Sequence, residues 1–150
     1  MARTKKSYLV PVDFSRTSAV ALNHAAQWAR ENKGKLILLH VIADPSVMMT
    51  APEGATPAVY LDYEKITRDE AQKNMAKIMR GKKLKSIECQ SFLVRRADPA
   101  RAIANQARRL KVTMIVMGSH GRTGLKRLVL GSVAERTLRY ARCPVLIVKK

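Results

Sequence analysis

The most restrictive feature of this sequence is an apolar run at residues 36–42, in which apolar residues do not alternate with polar ones. A strand with this pattern has to be covered on both faces, as in a parallel sheet flanked by helices. Short apolar runs also occur at 8–12, 112–117 and 145–148, and segments with helical spacing separate the runs. This order of signals predicts a doubly wound α/β fold with a five-stranded parallel sheet and helices on both faces.

Four segments have the i, i+3, i+4 spacing of amphipathic helices. Ser15 is a candidate N-cap for the first helix, which Gly34 would end, and Asp98-Pro99 would begin the third. The expected inner faces comprise Leu22, Ala25, Ala26 and Ala29; Ala71, Met75, Ile78 and Met79; Ala100, Ile103, Ala107 and Leu110; and Leu128, Val133, Thr137, Leu138 and Ala141. Residues 43–59, rich in proline and small residues, predict a long loop and a candidate lid.

The order of the strands follows from two polar turns and one alternating strand. Residues 86–94 alternate apolar with polar side chains, which is typical of a sheet edge. Polar turns follow the first strand at Asp13 and the fourth at Gly118. If these two strands are neighbours, the order is 3-2-1-4-5, and both turns flank one crevice beyond the carboxyl ends of the strands. Ligands of doubly wound sheets bind in such a crevice.

Length and composition restrict the class of protein. The 150 residues fit a single domain, 1–150, and a hydrophobic content of 47% excludes a disordered chain. No apolar run approaches the roughly 20 residues of a membrane helix, and no signal-peptide pattern is present, so we expect a cytoplasmic protein without a membrane partner. Cys89 and Cys143 lie far apart in apolar contexts and are expected to be buried free thiols. No Cys/His cluster has metal-ligand spacing.

The net charge of +18 predicts attraction to polyanions, although a merely charged, soluble surface is an alternative. Arg136, Arg139 and Arg142 recur at helical spacing and would form a basic stripe with Lys149 and Lys150. Aromatic residues are few and no named nucleic-acid motif is present. Weak, non-specific binding of nucleic acid is therefore an alternative function.

The loop at 117–124, with Gly131 and Ser132 further on, has the composition of an anion site. Glycines allow close backbone approach, and the N-terminus of the following helix favours negative charge. Neither the P-loop nor the dinucleotide-binding fingerprint is present, so a structural turn is an alternative. The anion site is favoured by the many hydrogen-bond donors: Ser119, His120, Arg122, Thr123, Lys126, Arg127 and Ser132.

The spacing Gly118-x2-Gly121-x9-Gly131-Ser132 matches every defined position of the nucleotide-binding pattern of universal stress proteins, Gly-x2-Gly-x9-Gly-Ser/Thr. Residues 10–15 resemble the first-strand motif of that family, and residues 143–148 resemble its closing strand. The similarity covers nearly the whole chain in the same order of elements. The chain therefore resembles the ATP-binding subgroup of the family, which implies an adenine nucleotide α-hydrolase-like fold.

The resemblance implies ATP, with or without Mg²⁺, in the crevice. Asp13 would accept hydrogen bonds from the ribose, although it could instead cap the first helix. The implied binding set comprises Pro11, Val12 and Val41 around adenine, Gly118, Gly121, Gly131, Ser132 and Val133 around the phosphates, Ser119, His120 and Arg122 nearby, and Ser15 and Met117. His120 could instead be a solvated loop residue, and we expect His24 and His40 to have structural roles.

Hydrolysis of ATP requires a positioned water or base, metal ligands and charge stabilisation at the γ-phosphate. The phosphate loop offers cations but no carboxylate, and Asp13 is the only evident acid near the site. We therefore expect a nucleotide-binding regulator without catalytic residues, which responds through its dimer or lid state. Slow hydrolysis of ATP is an open alternative.

The closing strand predicts a partner. In the order 3-2-1-4-5 it is an apolar edge with unpaired backbone groups, which favours pairing with another chain. The resemblance also implies dimers through this strand. We therefore expect a homodimer that pairs through residues 144–148.

Overall fold

The computed structural model describes residues 5–44, 57–121 and 130–149. Its elements are β1 (Ser7–Pro11), α1 (Arg16–Glu31), β2 (Lys35–Ala43), α2 (Pro57–Met79), β3 (Glu88–Arg96), α3 (Pro99–Arg109), β4 (Met114–Gly118), α4 (Ser132–Tyr140) and β5 (Val145–Val148). A short 3₁₀ turn, Lys82–Leu84, lies between α2 and β3.

The five strands are parallel and follow the order β3-β2-β1-β4-β5, as predicted. In β2, Leu36, Ile37, Leu38 and Leu39 are at most 1% exposed. Leu36 and Leu38 pack with α1 and α2 on one face, whereas Ile37 and Leu39 pack with α3 and α4 on the other. The apolar run is therefore buried on both faces, which confirms the predicted doubly wound α/β fold with helices on both faces of the sheet.

The ends of α1 are stabilised by local hydrogen bonds. The Oγ of Ser15 accepts the N–H of Ser18 at 3.2 Å, which confirms the predicted N-cap. At the other end, Lys33 (φ 51°) occupies the left-handed position that the sequence pattern had suggested for Gly34. Gly34 has a different role, because a Cβ atom there would lie 2.8 Å from the carbonyl oxygen of Lys6.

The start of α3 also follows the sequence. Asp98 is its N-cap, with Oδ1 accepting the N–H of Arg101 at 3.2 Å, and Pro99 is its first residue. The other carboxylate oxygen of Asp98 accepts a hydrogen bond from Arg136 in α4. This ion pair connects the start of α3 to α4.

Two predictions about the helices are wrong. The loop predicted at 43–59 is too long, because Ala43 belongs to β2 and α2 begins at Pro57, where proline suits a first helical turn. The rest of that loop, residues 45–56, lies outside the described residues, so most of the candidate lid is not described. Leu138 is 42% exposed and is not part of the inner face of α4, which buries Ala134 and Thr137. Leu128 lies outside the described residues.

Both cysteines are free, as predicted, but each is half-buried and not fully buried as expected. Burial raises the pKa of the Cys89 thiol to about 11 and also raises the pKa of Cys143, so both thiols stay protonated at neutral pH. Within the described part of the chain, no helix combines the length and apolar character needed to cross a membrane.

Candidate functional site

The two polar turns at the centre of the sheet face each other. β1 and β4 are neighbours, and the chain proceeds from β1 to β2 on one side before it returns to β4 on the other. The strand order reverses at this point, where doubly wound folds bind ligands. A Cβ atom on Gly121 would lie only 2.9 Å from Oδ2 of Asp13. The structure thus brings the turn after β1 against the turn after β4.

Asp13 is positioned by the turn that joins β1 to α1. Its Oδ1 accepts the N–H of Ser15 at 3.0 Å. The N–H of Val12 donates to the carbonyl oxygen of Leu39 in β2 at 2.8 Å, which fixes the start of the turn. Asp13 therefore stabilises the start of α1 through one oxygen, while the other is directed at Gly121.

Phe14 has a backbone conformation that is rare for a bulky residue. Its φ of 65° lies in the left-handed region, which costs free energy for an aromatic side chain. Its ring packs 4.5 Å from the ring of His40. The Nδ1 of His40 donates to the carbonyl oxygen of Val12 at 2.6 Å, which agrees with the expected structural role of this histidine. These contacts hold the turn in the conformation that orients Asp13.

The two halves of the glycine pattern are also brought together. The N–H of Gly131 donates to the carbonyl oxygen of Ser119 at 2.8 Å. A Cβ atom on Gly131 would lie 2.9 Å from the same oxygen, and a Cβ on Gly118 would lie 2.7 Å from Thr17 in α1. Glycine is therefore required at both positions for close backbone approach.

The start of α4 lies at this junction. Gly131 is the N-cap of α4. Because glycine has no side chain that could accept a hydrogen bond, the N–H groups of the first turn can bind an external acceptor. A helix N-terminus carries partial positive charge and favours an anion. Ser119 lies beside it, with Oγ 2.9 Å from Nδ1 of His120. Backbone N–H groups, two hydroxyls from Ser119 and Ser132, and an imidazole thus surround a space suited to phosphate.

A cavity of about 750 Å³ occupies the crevice. It is lined by twelve of the fourteen residues predicted to bind nucleotide: Pro11, Val12, Asp13, Val41, Met117, Gly118, Ser119, His120, Gly121, Gly131, Ser132 and Val133. Ser15 does not line the cavity, because its hydroxyl caps α1. Arg122 lies outside the described residues, as do Thr123, Lys126 and Arg127.

Sequence reasoning missed one wall of this cavity, which α2 contributes. Tyr63, Thr67, Glu70 and Asn74 line it, together with the buried Ala71. These residues recur at i, i+4, i+7 and i+11 and form a polar stripe beside the inner face of α2. The stripe was visible in the sequence, but only the packing of α2 across β2 and β3 directs it toward the crevice.

More carboxylate side chains line the cavity than the sequence suggested. Asp13 is not the only carboxylate near the site, because Glu70 of α2 and Glu135 of α4 line the cavity as well. Glu135 pairs with Arg139 at 3.1 Å. Both glutamates were overlooked because neither lies in a strand-end turn.

Fold and crevice define a doubly wound α/β protein with a cavity at the switch point of its sheet, lined by apolar residues of β1 and β2 and by the glycine turns beyond β4. Residues 6–149 match the universal stress protein family, so the chain belongs to that family. It is 35% identical over 146 residues to the universal stress protein YxiE of Bacillus subtilis, covering 94% of this chain and 97% of YxiE.

Solved structures agree with this assignment. The structure of protein MJ0577 superposes with a TM-score of 0.83 at 30% identity, covering 99% of this chain and 98% of that one. A universal stress protein from Archaeoglobus fulgidus, solved in complex with dAMP, has a TM-score of 0.61 at 21% identity, covering 95% of this chain and 96% of that one. The second likeness establishes a shared fold.

Proposed function

We propose that this stress-response family member binds ATP in the crevice at the carboxyl ends of β1 and β4. The observation that carries the proposal is the close approach of Asp13 to Gly121 in the turn after β4. A Cβ atom on Gly121 would lie only 2.9 Å from Oδ2 of Asp13. A carboxylate beside a cradle of backbone N–H groups can hold ribose hydroxyls and phosphates of one molecule. Pro11, Val12 and Val41 supply the apolar contacts for adenine.

Adenine nucleotides fit this cavity by their chemistry and by analogy. Universal stress proteins of the same fold have been solved with cAMP and with dAMP. Mg²⁺ commonly binds through one or two carboxylates together with substrate phosphates. Glu70 is therefore a residue of the cavity wall that could hold Mg²⁺ next to a triphosphate.

Binding without rapid hydrolysis is the favoured form of this function. Fast turnover requires a base or an oriented water in line with the γ-phosphate. Glu135 is engaged with Arg139, and Asp13 is engaged with the turn before α1. Of the acids that line the described cavity, Glu70 is the one that could support slow hydrolysis. The free thiols fit a reducing compartment such as the cytoplasm.

ATP is expected to raise the melting temperature of the protein. A ligand present at about 100 times its Kd stabilises the folded state by about 2.7 kcal/mol, which corresponds to roughly 5–10 °C for a chain of this size. Differential scanning fluorimetry at millimolar ATP measures this shift. Sodium tripolyphosphate at equal concentration is the control, since a chain with a net charge of +18 attracts any polyphosphate.

Comparison of ATP with tripolyphosphate distinguishes recognition of the nucleoside from attraction of the charged chain to any polyphosphate. A shift with ATP that clearly exceeds the shift with tripolyphosphate supports a site for the nucleoside. Equal shifts, or none at millimolar ATP, contradict the proposal.

A homodimer through β5 is part of the proposed function, because this strand is apolar and lies at the edge of the sheet. β5 is an edge strand beside β4. Pro144 accepts a hydrogen bond from Ile115 of β4, and Val148 accepts one from Ser119 just after β4. The N–H groups of Val145 and Ile147 therefore point away from the sheet. These outward groups are available to a second chain.

Light scattering at micromolar concentration is expected to give twice the chain mass of 16.8 kDa. Ile147→Pro, which removes an outward donor at a position where an edge tolerates proline, should yield a monomer with an unchanged far-ultraviolet circular dichroism spectrum. A monomeric parent protein would contradict the dimer.

Weak binding of nucleic acid is a second candidate function, favoured by the charge of +18. The predicted basic stripe on α4 is partly neutralised, because Arg136 pairs with Asp98 and Arg139 pairs with Glu135. Arg142 and Lys149 are exposed, and Lys150 lies outside the described residues. A stronger positive surface lies elsewhere on the molecule.

A further inference from the structure

The positive charge of this protein is concentrated at the amino ends of the strands, opposite the cavity. In this parallel sheet, every turn from a helix to a strand lies at that end. We call these turns and the residues before β1 the amino-end face: residues 5–6, 30–35, 80–88, 108–111 and 141–144. The face contains thirteen Lys and Arg residues and two Glu, so it carries +11 of the net charge of +18.

Hydrogen bonds between the turns make the face continuous. The N–H of Lys35 donates to the carbonyl oxygen of Lys6 at 2.9 Å, and Arg30 donates to the carbonyl oxygen of Lys83 at 2.9 Å. The turn before β4 is tied to β1 through a 2.8 Å bond from Thr113 to Ser7. Cations that are distant in sequence are therefore neighbours on one surface.

The cations of the face are available to a partner. Twelve of the thirteen are exposed, and Lys35 is half-buried. Of the two acids, Glu88 pairs with Lys5 at 2.7 Å. A hydrogen bond and charge attraction from Lys5, with a contribution from Lys35, lower the pKa of Glu88, so this carboxylate is already compensated.

Two lysines on the face are placed where glycine would be more stable. Lys33 (φ 51°) and Lys111 (φ 48°) are left-handed residues that follow the ends of α1 and α3. Glycine is the residue favoured at such helix ends, because it has no Cβ atom. Both positions therefore carry a positive charge at some cost in backbone strain, as sites that break a local rule for function often do.

We propose that the amino-end face binds the phosphate backbone of double-stranded nucleic acid without sequence specificity. Five strands about 4.8 Å apart span about 19 Å, a length over which a duplex presents about eleven phosphates. Lysine, which predominates here, contacts phosphate as a point charge. The face contains no Phe, Tyr or Trp on which the bases of a single strand could stack.

A membrane surface fits the face less well. Peripheral membrane surfaces commonly add apolar side chains to basic ones. In the described part of the chain, the large exposed apolar residues lie in the first half of α2, away from this face, and only Leu138, near the end of α4, lies close to it in sequence. The nucleotide cavity lies at the opposite end of the sheet, so duplex binding and nucleotide binding are independent.

Fluorescence anisotropy of a labelled, mixed-sequence duplex of about 20 base pairs tests the proposal. The logarithm of the association constant is expected to fall linearly with the logarithm of salt concentration. Lys33→Gly/Lys111→Gly removes two cations and relieves two left-handed lysines, so its melting temperature should equal or exceed that of the parent. The magnitude of its salt slope is expected to fall by about 1.8, because each phosphate contact contributes about 0.9.

Lys65→Ala/Lys73→Ala is the charge-matched control, since both lysines are exposed on α2 and do not line the cavity. It should retain the parent slope. Equal slopes for the two double variants would overturn the proposal, as would the absence of duplex binding at about 50 mM salt. The proposal would also be overturned if the parent protein bound vesicles of phosphatidylcholine and phosphatidylserine but did not bind the duplex.

Discussion

Asp13→Asn is expected to weaken ATP binding by on the order of a hundredfold. A hydrogen bond to a charged group contributes about 1.5–3 kcal/mol, and a carboxylate can accept one from each ribose hydroxyl. Asparagine has the same shape and keeps an oxygen that can accept the N–H of Ser15, now 3.0 Å from Oδ1. It replaces the second acceptor, which faces Gly121, with a donor. A loss of about 3 kcal/mol follows, measurable by isothermal titration calorimetry.

Two measurements separate this effect from a general one. The melting temperature without ligand should remain close to that of the parent, because the turn before α1 is retained. Glu31→Gln is the matched control, since it removes one carboxylate from the amino-end face, far from the cavity. Its ATP affinity should match that of the parent. An Asp13→Asn affinity within about twofold of the parent would show that this carboxylate does not bind the ribose.

The parts of the site that could be predicted from the sequence are those that local rules determine. Asp13 and Gly118 follow apolar strands, and the carboxyl ends of neighbouring parallel strands share one edge of the sheet. The N-caps Ser15 and Asp98 were predictable for the same reason, because a cap depends on residues three positions apart. Such features require no knowledge of how the helices pack.

The missed features depend on tertiary structure. Tyr63 and Glu70 enter the cavity because α2 packs across the sheet, and their polarity in the sequence indicates solvent equally well. Leu138 fits the helical spacing but lies outside the contact of α4 with α3 and the sheet. Lys33, and not Gly34, adopts the left-handed conformation after α1, and only the backbone geometry shows this. Local patterns therefore predicted the elements and turns, but not which side of a helix faces the cavity.

Gly131→Val is expected to reduce ATP affinity by about a hundredfold or more. Gly131 has φ −62° and ψ 148°, values that valine adopts readily, so the conformation of the residue is not the obstacle. The obstacle is steric, because a Cβ would lie 2.9 Å from the carbonyl oxygen of Ser119 and 3.3 Å from the Cα of His120. Relief of this contact must separate the turn after β4 from the start of α4.

That separation displaces the backbone N–H groups on both sides of the phosphate cradle. Charge-assisted hydrogen bonds contribute about 1.5–3 kcal/mol each, so misplacing two of them accounts for the predicted loss. The same strain should destabilise the fold by about 1–3 kcal/mol, as overpacking does elsewhere. Calorimetric titration with ATP and thermal unfolding without ligand measure the two effects separately.

Gly81→Val is the matched control for the strain. Gly81 is also an N-cap with a similar conformation, φ −60° and ψ 140°, and a Cβ there would lie 3.0 Å from the carbonyl oxygen of Ile78. It lies at the opposite end of the sheet from the cavity. Gly81→Val should therefore lose comparable stability and retain ATP affinity. If both variants lost affinity equally, destabilisation would explain the loss, and the contact between Gly131 and Ser119 would have no specific role in holding phosphate.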